Sequence, residues 1–272
     1  MSTRVTIPDY HTHTSRCGHA AGMPKDYVAA ALATGLPAIG ISDHMPLAGH
    51  PDPGVSMAPE DLAGYVAEVR ELKRRYPGFV LLGIEADYFP GREEDIRAVL
   101  ESQPFDYVIG SVHYLDGWGF DDVGNLAGFA ERDIDAVYAQ YFELLGDAAE
   151  TGLYTIIGHL DLVKKFGHRP TRDMTRALDS LLRRLSGSGV IVEINTAGLR
   201  KPVGEVYPGP QVLEAVRAHG IGITFGSDAH APGEVGWEFV AAAALARGIG
   251  FDVRAELVQQ PGGLARVEYR RL

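Results

Sequence analysis

"IGITFGSDAH", residues 221–230, is an apolar run that stops on a carboxylate and an imidazole. Asp228 and His230 stand two positions apart, so on an extended chain both side chains leave from the same face. The same ending recurs along the chain. "RVTI" (4–7) leads into "DYHTH", which delivers His11 and His13, and "AIGISDH" (38–44) stops at His44. "FVLLGIEADYF" (79–89) carries Glu85, "YVIGSVHYL" (107–115) carries His113, and "YTIIGHLDL" (154–162) carries His159. "VIVEINTAGL" (190–199) carries Glu193 and Asn195. Between these runs, helical periodicity covers 24–34, 59–76, 92–102, 129–151, 171–186, 209–219 and 232–248. Pro24, Pro59 and Pro232 stand near helix starts, and Gly152, Gly189 and Gly220 near helix ends. Strands alternating with helices give βαβ units and a parallel sheet. About seven such units come close to a (β/α) barrel. In a parallel barrel every strand's C-terminal end opens on one face, where active sites lie. The polar strand ends should therefore meet in a single mouth.

Composition narrows the function. A chain of 272 residues with 46% hydrophobic content can bury a full core, and no obvious linker divides it. We read residues 1–272 as one domain. The longest apolar run, around "FVAAAALA", falls well short of the ~18 residues a membrane span needs. The opening "MSTRVTIPDY" lacks a signal-peptide stretch, so the expected location is the cytoplasm. A net charge of −11 argues against a nucleic-acid partner, which would call for clustered Lys and Arg. It leaves room for a small anionic substrate in a local basic pocket. The single cysteine, Cys17, excludes both an internal disulfide and a cysteine-based zinc cage.

One histidine after an apolar run is ordinarily a core or capping residue. The joint pattern differs, because many imidazoles converging on one mouth repel when protonated and lack partners when neutral. A metal cluster satisfies them. The candidate ligands are His11, His13, His19, His44, Glu85, His113, His159, Asp228 and His230. That set overfills one catalytic site of three or four protein ligands. It suits two sites loosely, and three if Glu85 bridges. Two ions ~3.5–4 Å apart can share a hydroxide and clamp both oxygens of an in-line displacement. The N/O donors admit zinc, manganese or iron. Cys17 fits poorly among them, and Asp43 is expected to orient the neighbouring His44. His50, His168 and His219 read as loop or surface residues.

The set "HTH", a third His six residues later, "SDH", "GIEADY", "GSVHYLDGWGFD", "GHLDL" and "GSDAH" resembles the polymerase-and-histidinol-phosphatase (PHP) superfamily from residue 9 to about 236. "GSVHYLDGWGFD" and "NTAGLRK" are most similar to its monofunctional histidinol-phosphate phosphatases. The resemblance implies a distorted seven-stranded TIM-like barrel, a trinuclear metal site and hydrolysis of L-histidinol phosphate in histidine biosynthesis. It implies one metal on His11, His13, Glu85 and Asp228, a second on Glu85, His113 and His159, and a third on His19, His44 and His230. Glu85, Asp228 and His230 are then the catalytic candidates, with the third metal or a nearby acid such as His230 or Asp161 helping the alkoxide leave. The nucleophile would be a hydroxide bridging the metals.

A phosphoryl transition state also needs fixed cations. Lys164 and Lys165 follow the fifth run's ligand, and Arg200 and Lys201 follow the sixth run. Both pairs fall in βα loops at the expected mouth, and the resemblance implies phosphate binding there. Trp118 and Asp116 are candidates for holding an imidazole, by stacking and by hydrogen bonding. The competing functions are a PHP-type phosphodiesterase or nuclease, a broad-specificity phosphatase, and a non-catalytic metal scaffold.

Overall fold

The computed structural model describes residues 7–47, 54–260 and 263–272. Residues 4–6 of the first apolar run, and His50, lie outside them. The strands are β1 (Ile39–Ile41), β2 (Val80–Asp87), β3 (Tyr107–Ser111), β4 (Tyr114–Leu115), β5 (Trp118–Gly119), β6 (Ile156–Ile157), β7 (Ile191–Asn195), β8 (Ile223–Gly226), β9 (Val253–Gln260) and β10 (Gly263–Arg271). The helices are α1 (Pro24–Thr34), α2 (Leu62–Arg75), α3 (Glu93–Glu101), α4 (Ile134–Glu150), α5 (Thr175–Ser188), α6 (Pro210–Ala218) and α7 (Phe239–Ile249).

Six strands form one parallel sheet in the order β1-β2-β3-β6-β7-β8. Its two edges are joined through residues 9–13. On one side Gly40 N donates to Asp9 O (2.7 Å) and Ser42 N to Thr12 O (3.1 Å). On the other, Tyr10 N donates to Phe225 O (3.3 Å) and His13 N to Ala229 O (2.9 Å). The segment behaves as a seventh stave, although only Asp9 and Thr12 form ladder bridges in it. The result is a distorted (β/α)7 TIM-like barrel. Its strands are buried along their whole length, as a parallel sheet covered by helices requires. The interior is filled, not hollow. Tyr107 lies across it, and a Cβ at Gly40 or Gly83 would come within 1.9 or 2.2 Å of its ring or hydroxyl.

The tail, without an assigned place in the sequence reading, is the β9–β10 hairpin. Ala255, Leu257 and Ala265 pack with Tyr10, Leu81, Tyr107, Ile109, Ile156 and Ile191. Gln259 bonds to Val80 O, and Ala265 N to Asp106 O, both at strand starts. The hairpin therefore closes the end of the barrel away from the polar strand termini.

The helical reading needs two corrections. The stretch 232–248 is not one helix: a 3-10 turn at Pro232–Glu234 is separated from α7 by Gly236 and Glu238, both with positive φ. Gly236 N donates to Asp9 Oδ2 (2.9 Å), which draws the backbone out of helical register. The stretch 129–151 begins as a helix only at Ile134, where the Asp133 carboxylate accepts from Asp135 N.

Candidate metal centre

Glu85 on β2 is the centre of the mouth. Its Oε1 lies 3.0 Å from His159 Nε2 and 3.8 Å from His113 Nε2, and accepts from Ser111 Oγ at 2.5 Å. Its Oε2 lies 2.9 Å from His44 Nδ1, 3.3 Å from His11 Nε2 and 3.5 Å from His13 Nε2. Asp228 Oδ1 is 3.1 Å from His13 Nε2 and 3.9 Å from His11 Nε2. Towards solvent, His230 Nε2 faces His19 Nε2 at 2.9 Å, and the His230 ring stacks on His13 at 4.3 Å. All nine sequence-expected donors are thus brought into one group.

Whether these residues suit metal follows from what they lack. His11 Nε2, His13 Nε2 and Glu85 Oε2 are buried without hydrogen-bond partners, yet converge. A tetrahedral site with bonds of ~2.1 Å separates its donors by roughly 3.4 Å. The separations of 3.1, 3.3 and 3.5 Å match that spacing. The donor set is that of a divalent metal centre.

Electrostatics agree. Burial alone would neutralise these groups, but the carboxylates overrule it for the inner histidines. Glu193, Glu85 and Asp228 draw His11 well above its ordinary pKa against burial. Against the same burial, Asp228 and Asp43 raise His13 to about 9, and Asp87 and Asp121 raise His113 to about 10. Glu85 and Asp228, despite burial, are held well below the usual carboxylate range by the facing imidazoles. At the outer edge the balance reverses: burial and neighbouring histidines push His19 down to about 4 and His230 well below normal. The pocket retains its anions.

Supporting carboxylates fix the ring orientations. Glu193 Oε1 lies 2.7 Å from His11 Nδ1, and Asp87 Oδ1 lies 2.9 Å from His113 Nδ1. Each leaves the opposite ring nitrogen for Glu85's side. Asp87 was missed from the sequence, although it follows Glu85 by two positions and so shares its face. Asp43 serves differently from expectation. Its oxygens accept from His44 N, Thr14 N and Thr14 Oγ1, and the imidazole it approaches is His13 (Nδ1, 3.8 Å) instead of His44. Cys17 Sγ donates to Thr14 O (3.1 Å), and burial followed by Asp43 pushes its thiol up to about 12. His168 stacks on Phe129 and His219 bonds to Asp179, both away from this group.

The residues expected at the phosphate divide. Lys164 is buried and fully engaged: Nζ reaches Asp161 Oδ2 (2.8 Å), Glu205 Oε2 (3.1 Å) and Val206 O (2.9 Å). Its role is to hold the 205–209 loop, where Asp161 Oδ2 also accepts from Gly209 N (2.9 Å). Lys165 instead bonds to Asp121 O and Oδ2 at 2.6 and 3.1 Å. Burial opposes ionisation of Asp121, but Lys165, His113 and His159 lower it to about 2. Arg200 also reaches this mouth, donating to Asp228 O (3.2 Å). Lys201 is depressed by burial and then by Lys165, with Arg200 adding to the effect.

Trp118 packs within its own loop, and Asp116 stands in a turn. Trp118 donates to Asn125 O (3.1 Å), meets Phe129 edge-on and carries the Arg132 guanidinium over its ring (4.2 Å). Its ring is spoken for. Asp116 and Gly117 have positive φ and form the two-residue turn between β4 and β5. Asp116 is exposed at that turn.

Comparison with known proteins gives a consistent result. Residues 9–197 match the model of the PHP domain family. The chain is 45% identical over 244 residues to a probable histidinol-phosphatase of Deinococcus radiodurans, covering 89% of this chain and 93% of that protein. It is 32% identical over 263 residues to the histidinol-phosphatase of Bacillus subtilis, covering 86% and 97%. A crystal structure of histidinol phosphate phosphatase from Lactococcus lactis, complexed with zinc, L-histidinol and phosphate, superposes with a TM-score of 0.79 at 24% identity, covering 96% and 99%. At that identity the superposition speaks for the fold.

Proposed function

The chain belongs to the PHP domain family, and from that premise we propose that it is a histidinol-phosphatase, a metal-dependent hydrolase converting L-histidinol phosphate to L-histidinol and phosphate in histidine biosynthesis. The observation that carries this reading is Glu85, with both carboxylate oxygens spread among five imidazoles. Residues 1–272 act as one hydrolase domain. Among the described residues no helix is long and apolar enough to cross a membrane.

We assign two to three divalent ions to the mouth. His11, His13, Glu85 and Asp228 would hold one, Glu85, His113 and His159 a second, and His19, His44 and His230 a third. Zinc, present in the Lactococcus structure, suits these donors, as do manganese and iron. When bound, such ions supply a water nucleophile at neutral pH and charge neutralisation on the phosphoryl group.

The chain's own groups do the remainder. Glu193 and Asp87 hold His11 and His113 as Nδ1–H tautomers with Nε2 facing the centre. Arg200 and Lys165 receive the phosphate oxygens and stabilise their charge in the transition state. Asp121 fixes Lys165 at the edge of the mouth through two contacts.

The test compares a small phosphomonoester, a bis-phosphodiester and single-stranded DNA as substrates for the metal-loaded protein. The monoester is expected to be turned over at least tenfold faster than either diester, roughly the discrimination of 1.4 kcal/mol. Comparable DNA cleavage would favour a nuclease.

A further inference from the structure

Arg200 is anchored along one edge. Its Nη2 donates to Ser227 O (2.9 Å) and Asp228 O (3.2 Å), and its Nε lies 3.3 Å from Glu234 Oε1. The remaining nitrogen, Nη1, is buried without a partner. A guanidinium is a rigid plane, so fixing Nε and Nη2 also fixes the direction of Nη1. A buried donor left unpaired is costly, which marks Nη1 as the nitrogen awaiting an anion. Glu234 closes the 3-10 turn Pro232–Glu234, and its other oxygen accepts from His230 N at 2.9 Å. One carboxylate thereby links the loop carrying a metal-centre histidine to the cation after β7.

We propose that Glu234 is a positioning residue for phosphate recognition, acting through Arg200 to aim Nη1 at the substrate's phosphoryl oxygens. The proposal rests on the phosphatase reading above. The sign of the effect distinguishes this role from a direct one. A carboxylate acting directly on a phosphate repels it, so neutralising Glu234 would tighten anion binding. Acting through Arg200, the same change loosens it.

Calorimetric binding of inorganic phosphate to metal-loaded parent, Glu234→Gln, Arg200→Ala and the double variant decides between them. Glutamine retains an amide oxygen for His230 N–H, so metal content should equal the parent's. Glu234→Gln is expected to weaken phosphate binding about fivefold or more and to raise KM for a phosphomonoester more than it lowers kcat. In the Arg200→Ala background the same substitution should change affinity less than about twofold, because its effect passes through the missing side chain. Glu234→Asp, which keeps the charge, should retain more phosphate affinity than Glu234→Gln. Equal or tighter phosphate binding by Glu234→Gln, or an equal loss in both backgrounds, overturns the proposal alone. A metal-loaded parent that binds no phosphate overturns the phosphatase reading and the proposal together.

Discussion

Glu85 stands among five imidazoles, within 4 Å of each. Replacing it with Gln removes the charge that offsets the surrounding imidazoles, and an amide cannot join two cations as a carboxylate does. Glu85→Gln is therefore expected to abolish turnover and lower bound metal by at least one equivalent per chain, measured by elemental analysis. Unchanged metal with near-normal turnover would remove Glu85 from the centre. The raised pKa values of His13 (about 9) and His113 (about 10) set the pH dependence of metal loading. At pH 7 both rings carry protons in the metal-free protein, and metal must displace them. Metal affinity should accordingly rise with pH until about 9–10, with proton release on binding at pH 7. Calorimetry in buffers of differing ionisation enthalpy measures that release, and a proton-neutral titration would contradict the assignment. If Arg200 receives the phosphate as proposed, Arg200→Ala removes a charged contact worth about 1.5–3 kcal/mol. The KM for a phosphomonoester should then rise by about 10–150-fold, with metal retained. A change within twofold would sink the contact.

At the scale of elements, the ladder of strand ends was readable because parallel strands bury both faces, leaving polar residues only where the chain emerges. His11/His13 and Asp228/His230 announced themselves by their spacing of two. By the same reasoning Asp87 was readable beside Glu85. The distinction between Lys164 and Lys165 was not, since it depends on Glu205 and Val206, about forty residues away. Nor was the place of the tail, because β9 and β10 bury their apolar side chains against the starts of distant strands. That packing carries a stability prediction. Leu257, almost fully buried, lies in the cluster under the barrel. Leu257→Ala should cost about 2–5 kcal/mol, lowering Tm while leaving metal content intact, because the hairpin closes the end opposite the metal centre. Loss of metal without loss of stability would show that the two ends are not separated in this way.

For the whole molecule, the barrel holds a ring of imidazoles and carboxylates that is costly to bury without bound cations. Metal binding should thus couple to stability as well as activity, and a bound ion would contribute about 2.7 kcal/mol when free metal is a hundredfold above its Kd. Chelation should lower Tm and eliminate turnover, and restoring zinc or manganese should recover both. A Tm indifferent to chelation would mean that the ring is stable without metal. The substrate claim is tested most directly by kcat/KM of the metal-loaded protein across a panel of phosphate esters. L-Histidinol phosphate should exceed other amino-alcohol and sugar phosphates at least tenfold, the equivalent of about 1.4 kcal/mol in transition-state binding. Equal values across the panel would contradict histidinol phosphate as the substrate.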